Sequence, residues 1–157
     1  MPDPFLASAR YILKDYLDEF RRAVQGLPDE AVNWVPGGED TNSIAVLVTH
    51  SLHSTHSWVS IAVGAPLPDR DRDSEFLTRA AGAAELMSLI DDLGGQILAL
   101  LDNASEIDWS ANRKAHMRPD PDLPDYVPAA FGLIHAVEHF SQHVGHVTLT
   151  RQIWDAR

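Results

Sequence analysis

The chain contains no cysteine, which removes disulfides, thiolate metal ligands and a cysteine nucleophile at once. Any thiol chemistry must therefore use a thiol supplied from outside. Basic residues are the second shortage: Lys and Arg number 12 against 23 Asp and Glu, a formal net charge of -11 at pH 7. Such a surface repels phosphate backbones, so nucleic-acid binding is not expected. No unbroken run reaches the ~18–20 apolar residues that a membrane-spanning helix needs. The opening stretch MPDPFLASARYILKDYLDEF carries Asp3 and no basic lead into an apolar run, so a secretory signal is not expected and the cytoplasm is the default compartment. Alternating strand patterns and internal repeats are missing as well. The 157 residues suffice for one domain, spanning 1–157, that buries a core without covalent staples.

What is present is helical. From Asp3 to Gly26, Phe5, Ala9, Ile12, Tyr16, Phe20 and Val24 recur at three- and four-residue spacing, with charged residues between them. Asp3 suits the N-cap, Pro4 the first helical position, and Gly26 before Leu-Pro the stop. The segment LPDEAVNWVPGGEDTNS reads as a turn-rich crossing with one helical turn at DEAVNW. A second helix is expected from about Ser43 to Val63, and residues 65–80 as a loop in which DRDSEF starts a turn of helix. A third helix spans about Gly82 to Leu101, weakened locally by Gly94 and Gly95. Asp102 to Asp125 reads as a long polar, proline-rich connection without a strand, and a fourth helix runs from about Val127 to Asp155. Four long helices without strands predict an all-α bundle.

The chain has eight histidines, and HAVEHFSQHVGHV concentrates His135, His139, His143 and His146 near its end. At roughly 100° per residue these four share an arc of about 80° on one side of the last helix. Leu133, Ala136, Phe140, Val144 and Val147 occupy another side, so the histidines are not needed as filler. An i, i+4 pair can aim two imidazole nitrogens at one ion, as in helical zinc sites. In the second helix, His50 shares its direction with Leu47, Ser54, Trp58 and Ile61, whereas His53 and His56 turn progressively away. A bundle in which these helices face each other lets His50 complete a three-histidine site with His139 and His143. Three ligands leave a position open, as catalytic rather than structural sites do.

An isolated histidine is more plainly a hydrogen-bonded core residue; the clustering favours the metal site. His53, His56 and His116 read as solvated surface residues, and His135 and His146 as lining or orienting the site. Trp58 and Trp154 read as core, with Trp58 and Ser54 also candidates for the wall of the site. HAVEH fits the His-x-x-Glu-His pattern of inverted zinc proteases, with Glu138 as base. Those enzymes resemble much larger proteins that take a further ligand from far downstream, so this overlap is expected to be incidental.

These residues resemble a known family. The run LPDEAVNWVPGGEDTNSIAVLVTHSLHSTHSW is similar to the hallmark of the DinB/YfiT-like metalloenzymes: a leucine, an acidic turn, a tryptophan, a proline-glycine loop, Asn-Ser-Ile, then a histidine in the second helix. HAVEHFSQHVGHVTLTRQI is similar to the family's closing His-x-x-x-His-x-Gly-Gln/His element, with His146 where many relatives have glutamine. The resemblance implies an up-down-down-up four-helix bundle, His50, His139 and His143 as ligands of a divalent ion, zinc or nickel, and a homodimer.

It also implies thiol-dependent transfer to a small-molecule substrate, with bacillithiol, mycothiol or glutathione as co-substrate. Two alternatives stand beside that expectation. One is a metal-dependent hydrolase using activated water, for which Glu138 is the weak candidate base although it sits roughly 100° around the helix from His139. The other is a non-catalytic metal-binding dimer.

Overall fold

The structure, a computed structural model, describes residues 3–38, 40–115 and 124–157. Its long helices are α1 (Pro4–Val24), α3 (Ile44–Val63), α5 (Ala83–Asn103) and α6 (Ala129–Asp155), with short helices α2 (Asp29–Val32) and α4 (Arg72–Glu75) in the connections. They form an up-down-down-up bundle in which α1 and α3 each pack against both α5 and α6. No helix among the described residues is long and apolar enough to cross a membrane.

Helix α1 starts where expected because Asp3 Oδ1 accepts from the Phe5 and Leu6 amides, at 2.8 and 3.2 Å. Its buried side is Leu6, Ala9, Leu13, Leu17, Phe20, Ala23 and Val24, a stripe of three- and four-residue steps. Helix α5 answers with Leu86, Ile90, Ile97 and Leu101. Gly94 lies in this contact for a steric reason: a Cβ there would come within 2.8 Å of Leu17 Cδ2.

Helices α3 and α6 approach as closely. A Cβ on Gly132 would meet Ala62 N and Trp58 O at 3.3 Å each, so α6 runs directly against the α3 backbone. Ser43 caps α3, its Oγ accepting from Val46 N at 3.3 Å.

The connection after α5 differs from the strandless loop expected. Strands β1 (Asn112–Lys114) and β2 (Tyr126–Pro128) pair antiparallel, with Arg113 opposite Val127. The same loop supplies the start of α6, because Ala129 N donates to Ala111 O and Ala130 N to Trp109 O, at 2.9 and 3.0 Å. Backbone carbonyls thus do what a capping side chain usually does. Pro128 precedes the helix without any side-chain cap, and Val127 belongs to the strand rather than to the helix. Trp109 anchors the connection by donating Nε1–H to Asp3 Oδ2 at 2.8 Å.

Candidate metal centre

His50 lies in the N-terminal half of α3 and is 5% exposed. The steps that make α3 a buried helix carry the imidazole inward with Leu47 and Trp58. His139 and His143 lie one turn apart on α6, their ring centroids 4.5 Å from each other and each 5.2 Å from that of His50. Among the described residues these three offer donor atoms that all lie within 4.8 Å of one another. His50 Nε2 is 3.3 Å from His139 Nε2, which is 3.2 Å from His143 Nε2. Two ligand atoms of a tetrahedral ion bound at ~2.0–2.1 Å stand roughly 3.3–3.4 Å apart. Both separations match that spacing, and the three donor atoms lie close enough to share one ion.

Protonation fits as well. Burial, reinforced by His143, His50, His135 and Arg70, lowers His139 to a pKa of about 3. Burial together with His50 and His146 lowers His143 to about 4. Neutral imidazoles are the ligating form. His139 Nδ1 is buried and has no hydrogen-bond partner among the described residues. In a neutral ring that nitrogen takes the proton when Nε2 keeps its lone pair for the centre.

Outer contacts hold two of the rings. His143 Nδ1 is 3.4 Å from Nδ1 of the exposed His146, so one of the two is the donor. When His143 keeps its Nε2 lone pair for the centre, its Nδ1–H donates to His146. His135 stands beside His139 at 5.8 Å between centroids and stacks on Phe131, the planes 7° apart, while Trp58 meets its edge at 4.5 Å. These three rings form an aromatic wall along one side of the centre. Ser54 is buried and makes no hydrogen bond to the three imidazoles among the described residues.

Glu138 faces out: it accepts from the Gln142 amide, its side chain is 52% exposed, and Oε2 is 3.7 Å from His135 Nδ1. His53 and His56 are half-buried rather than solvated, and burial lowers the pKa of both. His116 lies outside the described residues. Trp154 is partly buried and packs edge-on against Trp34.

Glu75 was not singled out from the sequence. It sits at the end of α4, 4% exposed, with Oε2 2.9 Å from His50 Nδ1, and Arg70 grips both of its oxygens at 2.6 and 2.8 Å. Burial alone would raise its pKa; the hydrogen bonds from Arg70 and His50 outweigh that and hold the carboxyl below its ordinary value. Phe76 lies on the His50 ring at 4.6 Å. The sequence showed only DRDSEF starting a turn of helix within a loop, and acidic turns are ordinarily solvated.

A cavity of about 440 Å³ is lined by His56, Val63, Gln96, Leu100 and Asn103 among others, and by none of the three converging imidazoles. The donor set, not that cavity, marks the candidate site.

The DinB superfamily profile matches residues 13–147. A conserved protein from Enterococcus faecalis has a similar structure, with TM-score 0.72 at 14% identity, covering 96% of this chain and 97% of that one. The mycothiol-dependent maleylpyruvate isomerase aligns with TM-score 0.64 at 13% identity over 90% of this chain, which spans 60% of the isomerase's length. No curated protein matches the sequence.

Proposed function

The chain belongs to the DinB superfamily, and from that premise we propose that residues 1–157 act as one domain whose His50, His139 and His143 hold a divalent ion, zinc or nickel, for thiol-dependent transfer to a small electrophile. The observation that carries the reading is the convergence of three Nε2 atoms, two of the separations being 3.3 and 3.2 Å, with burial lowering the pKa of His139 and His143. With no cysteine in the chain, the sulfur comes from a low-molecular-weight thiol. Similarity to a mycothiol-dependent isomerase supports that choice.

A cation held by the three imidazoles supplies positive charge that favours the ionised form of a thiol at neutral pH. The protein's own groups do the rest. Three neutral ligands cancel none of that charge, and the nearby Glu75 is matched by Arg70, so the surroundings leave the preference for an anion intact. Trp58, Phe131 and His135 offer aromatic faces and edges against which the electrophile can lie. The transfer balances simply: the thiol loses its proton, its sulfur lone pair bonds to an electrophilic carbon, and a leaving group departs with the pair from the broken bond. In an addition, the displaced pair takes up a proton instead.

Elemental analysis of the protein as isolated, beside His143→Ala, tests the centre: stoichiometric metal is expected in the first and almost none in the second. Incubation of the metal-loaded protein with bacillithiol, mycothiol or glutathione and an epoxide or aryl halide tests the chemistry. Turnover requiring a thiol supports the reading. Turnover without one would assign a hydrolase, and bound metal without any turnover a binding protein.

A further inference from the structure

We infer that Glu75 is a positioning residue for the centre, held by Arg70, so that the connection between α3 and α5 is a third structural contributor beside the two helices that carry the imidazoles. The inference rests on the reading of His50 as a metal ligand, and the protonation of its Nδ1 decides it. Among the described residues two groups are within hydrogen-bonding distance of that nitrogen: Glu75 Oε2 at 2.9 Å and Arg70 Nη2 at 3.5 Å. They demand opposite states, because a carboxylate accepts and a guanidinium donates. The shorter contact wins, since a lone pair 2.9 Å from a carboxylate oxygen would be repelled while an N–H there makes a charge-assisted bond. His50 therefore carries its proton on Nδ1. In the neutral ring the remaining lone pair is on Nε2, the atom that faces His139 at 3.3 Å.

Arg70 gives the carboxylate its own geometry. Nε on Oε1 and Nη2 on Oε2 form a two-pronged grip, and the side chain of Glu75 is 4% exposed against 19% for Arg70. A carboxylate buried that deeply without a cation would be costly; with one, it is a fixed acceptor. Phe76, the next residue, lies against the His50 ring at 4.6 Å and limits its tilt. Carboxylate–histidine pairs of this kind fix tautomer and ring orientation at metal centres and raise ligand basicity.

The test compares the full chain with Glu75→Ala and Glu75→Gln, each first checked for native helicity. In the metal-free proteins, ¹⁵N-resolved spectra of the His50 ring report the tautomer. The Nδ1–H form is expected in the parent, with an increased share of the Nε2–H form in Glu75→Ala. Zinc affinity by chelator competition should fall about 10- to 100-fold in Glu75→Ala. Glu75→Gln keeps an acceptor oxygen without the charge and should fall by about tenfold or less, which also serves if the alanine variant does not fold.

If the parent binds zinc and the folded variants match it in both affinity and tautomer, the inference is overturned while the metal reading stands. If the parent binds neither zinc nor nickel, the metal reading fails. Loss of the Nδ1–H form on substitution would then still support Glu75 as the positioning group, and its retention would overturn that too.

Discussion

Helices α1 and α5 bury almost nothing but hydrocarbon, whereas α3 and α6 bring polar groups into the same interior. Along α1 the buried residues run from Leu6 to Val24 without a polar side chain. Along α3 the buried set includes Thr49, His50, Ser51, Ser54, Thr55 and Ser60, and Thr49 and Thr55 leave their hydroxyls without partners among the described residues. Helix α6 is divided: Phe140 is fully buried against Phe20 and Tyr16, while the neighbouring His139 and His143 face α3. Buried polar groups cost free energy unless something satisfies them. A helix pair that concentrates such groups is where packing has yielded to chemistry. Helices α1 and α5 are then the frame that holds it.

Phe140→Ala should separate the two most sharply. Phe20 lies 4.8 Å away in an edge-on contact, and the cavity left in this core should cost about 3–5 kcal/mol. Urea unfolding would read that loss. Metal affinity of the folded fraction should stay near that of the parent, since the ring contacts of Phe140 are with Phe20 and Tyr16 on α1. A large loss of affinity at unchanged stability would erase the division drawn here.

The complementary change is His143→Ala. This half-buried residue should alter the metal-free stability by about 1 kcal/mol or less, yet abolish stabilisation by metal. In the parent, free zinc at about 100 times its Kd should add about 2.7 kcal/mol. For a chain of this size that amounts to about 5–10 °C in Tm, and a thermal melt with and without zinc reads it directly.

Acid should act on the same pair of helices. His139 and His143 have folded-state pKa values lowered to about 3 and about 4 from the ordinary 6.5. As pH falls below 6.5 the unfolded chain takes up these protons before the folded one does. The contribution of these two groups is therefore complete above about pH 6.5 and drains away down to about pH 3–4. A Tm–pH series on metal-free protein should show this slope, and His139→Ala should flatten it. An equal slope in the two proteins would mean that the drop comes from other groups.

The frame was the readable part of the sequence. Phe5 to Val24 and Leu86 to Leu100 announce their helices because one apolar stripe facing one core produces a clean period. The three imidazoles were readable for a related reason: His139 and His143 share a face by spacing alone, and His50 lies among apolar neighbours. Glu75 was not, because a carboxylate in an acidic turn shows no sign of burial until His50 and Arg70 are known to surround it. The strand pair escaped for want of length. Three residues on each side cannot show alternation, and β1 is held by its partner across a long connection. His53 and His56 were expected to be solvated but are half-buried, and His53 lies near enough to Glu75, Arg70 and His50 to feel their charges, because neighbouring elements that helical geometry alone does not place cover them.

The smallest effect lies in the frame and tests how tightly it is built. Gly94 and Gly95 are adjacent on α5, so an alanine gains about 0.5–1 kcal/mol at either from reduced unfolded-chain freedom and better helix propensity. Their surroundings differ. A Cβ at Gly95 meets nothing within 4 Å, while one at Gly94 meets Leu17 Cδ2 at 2.8 Å. Leu17 has no exposed surface into which to swing, so it must repack at a cost of about 1–3 kcal/mol. Gly95→Ala should therefore raise the urea midpoint and Gly94→Ala lower it, each by the equivalent of about 1 kcal/mol, with m unchanged. Two upward shifts would show that α1 and α5 retain enough slack at Leu17 to absorb a methyl group, and the frame would be less closely packed than the polar pair it supports.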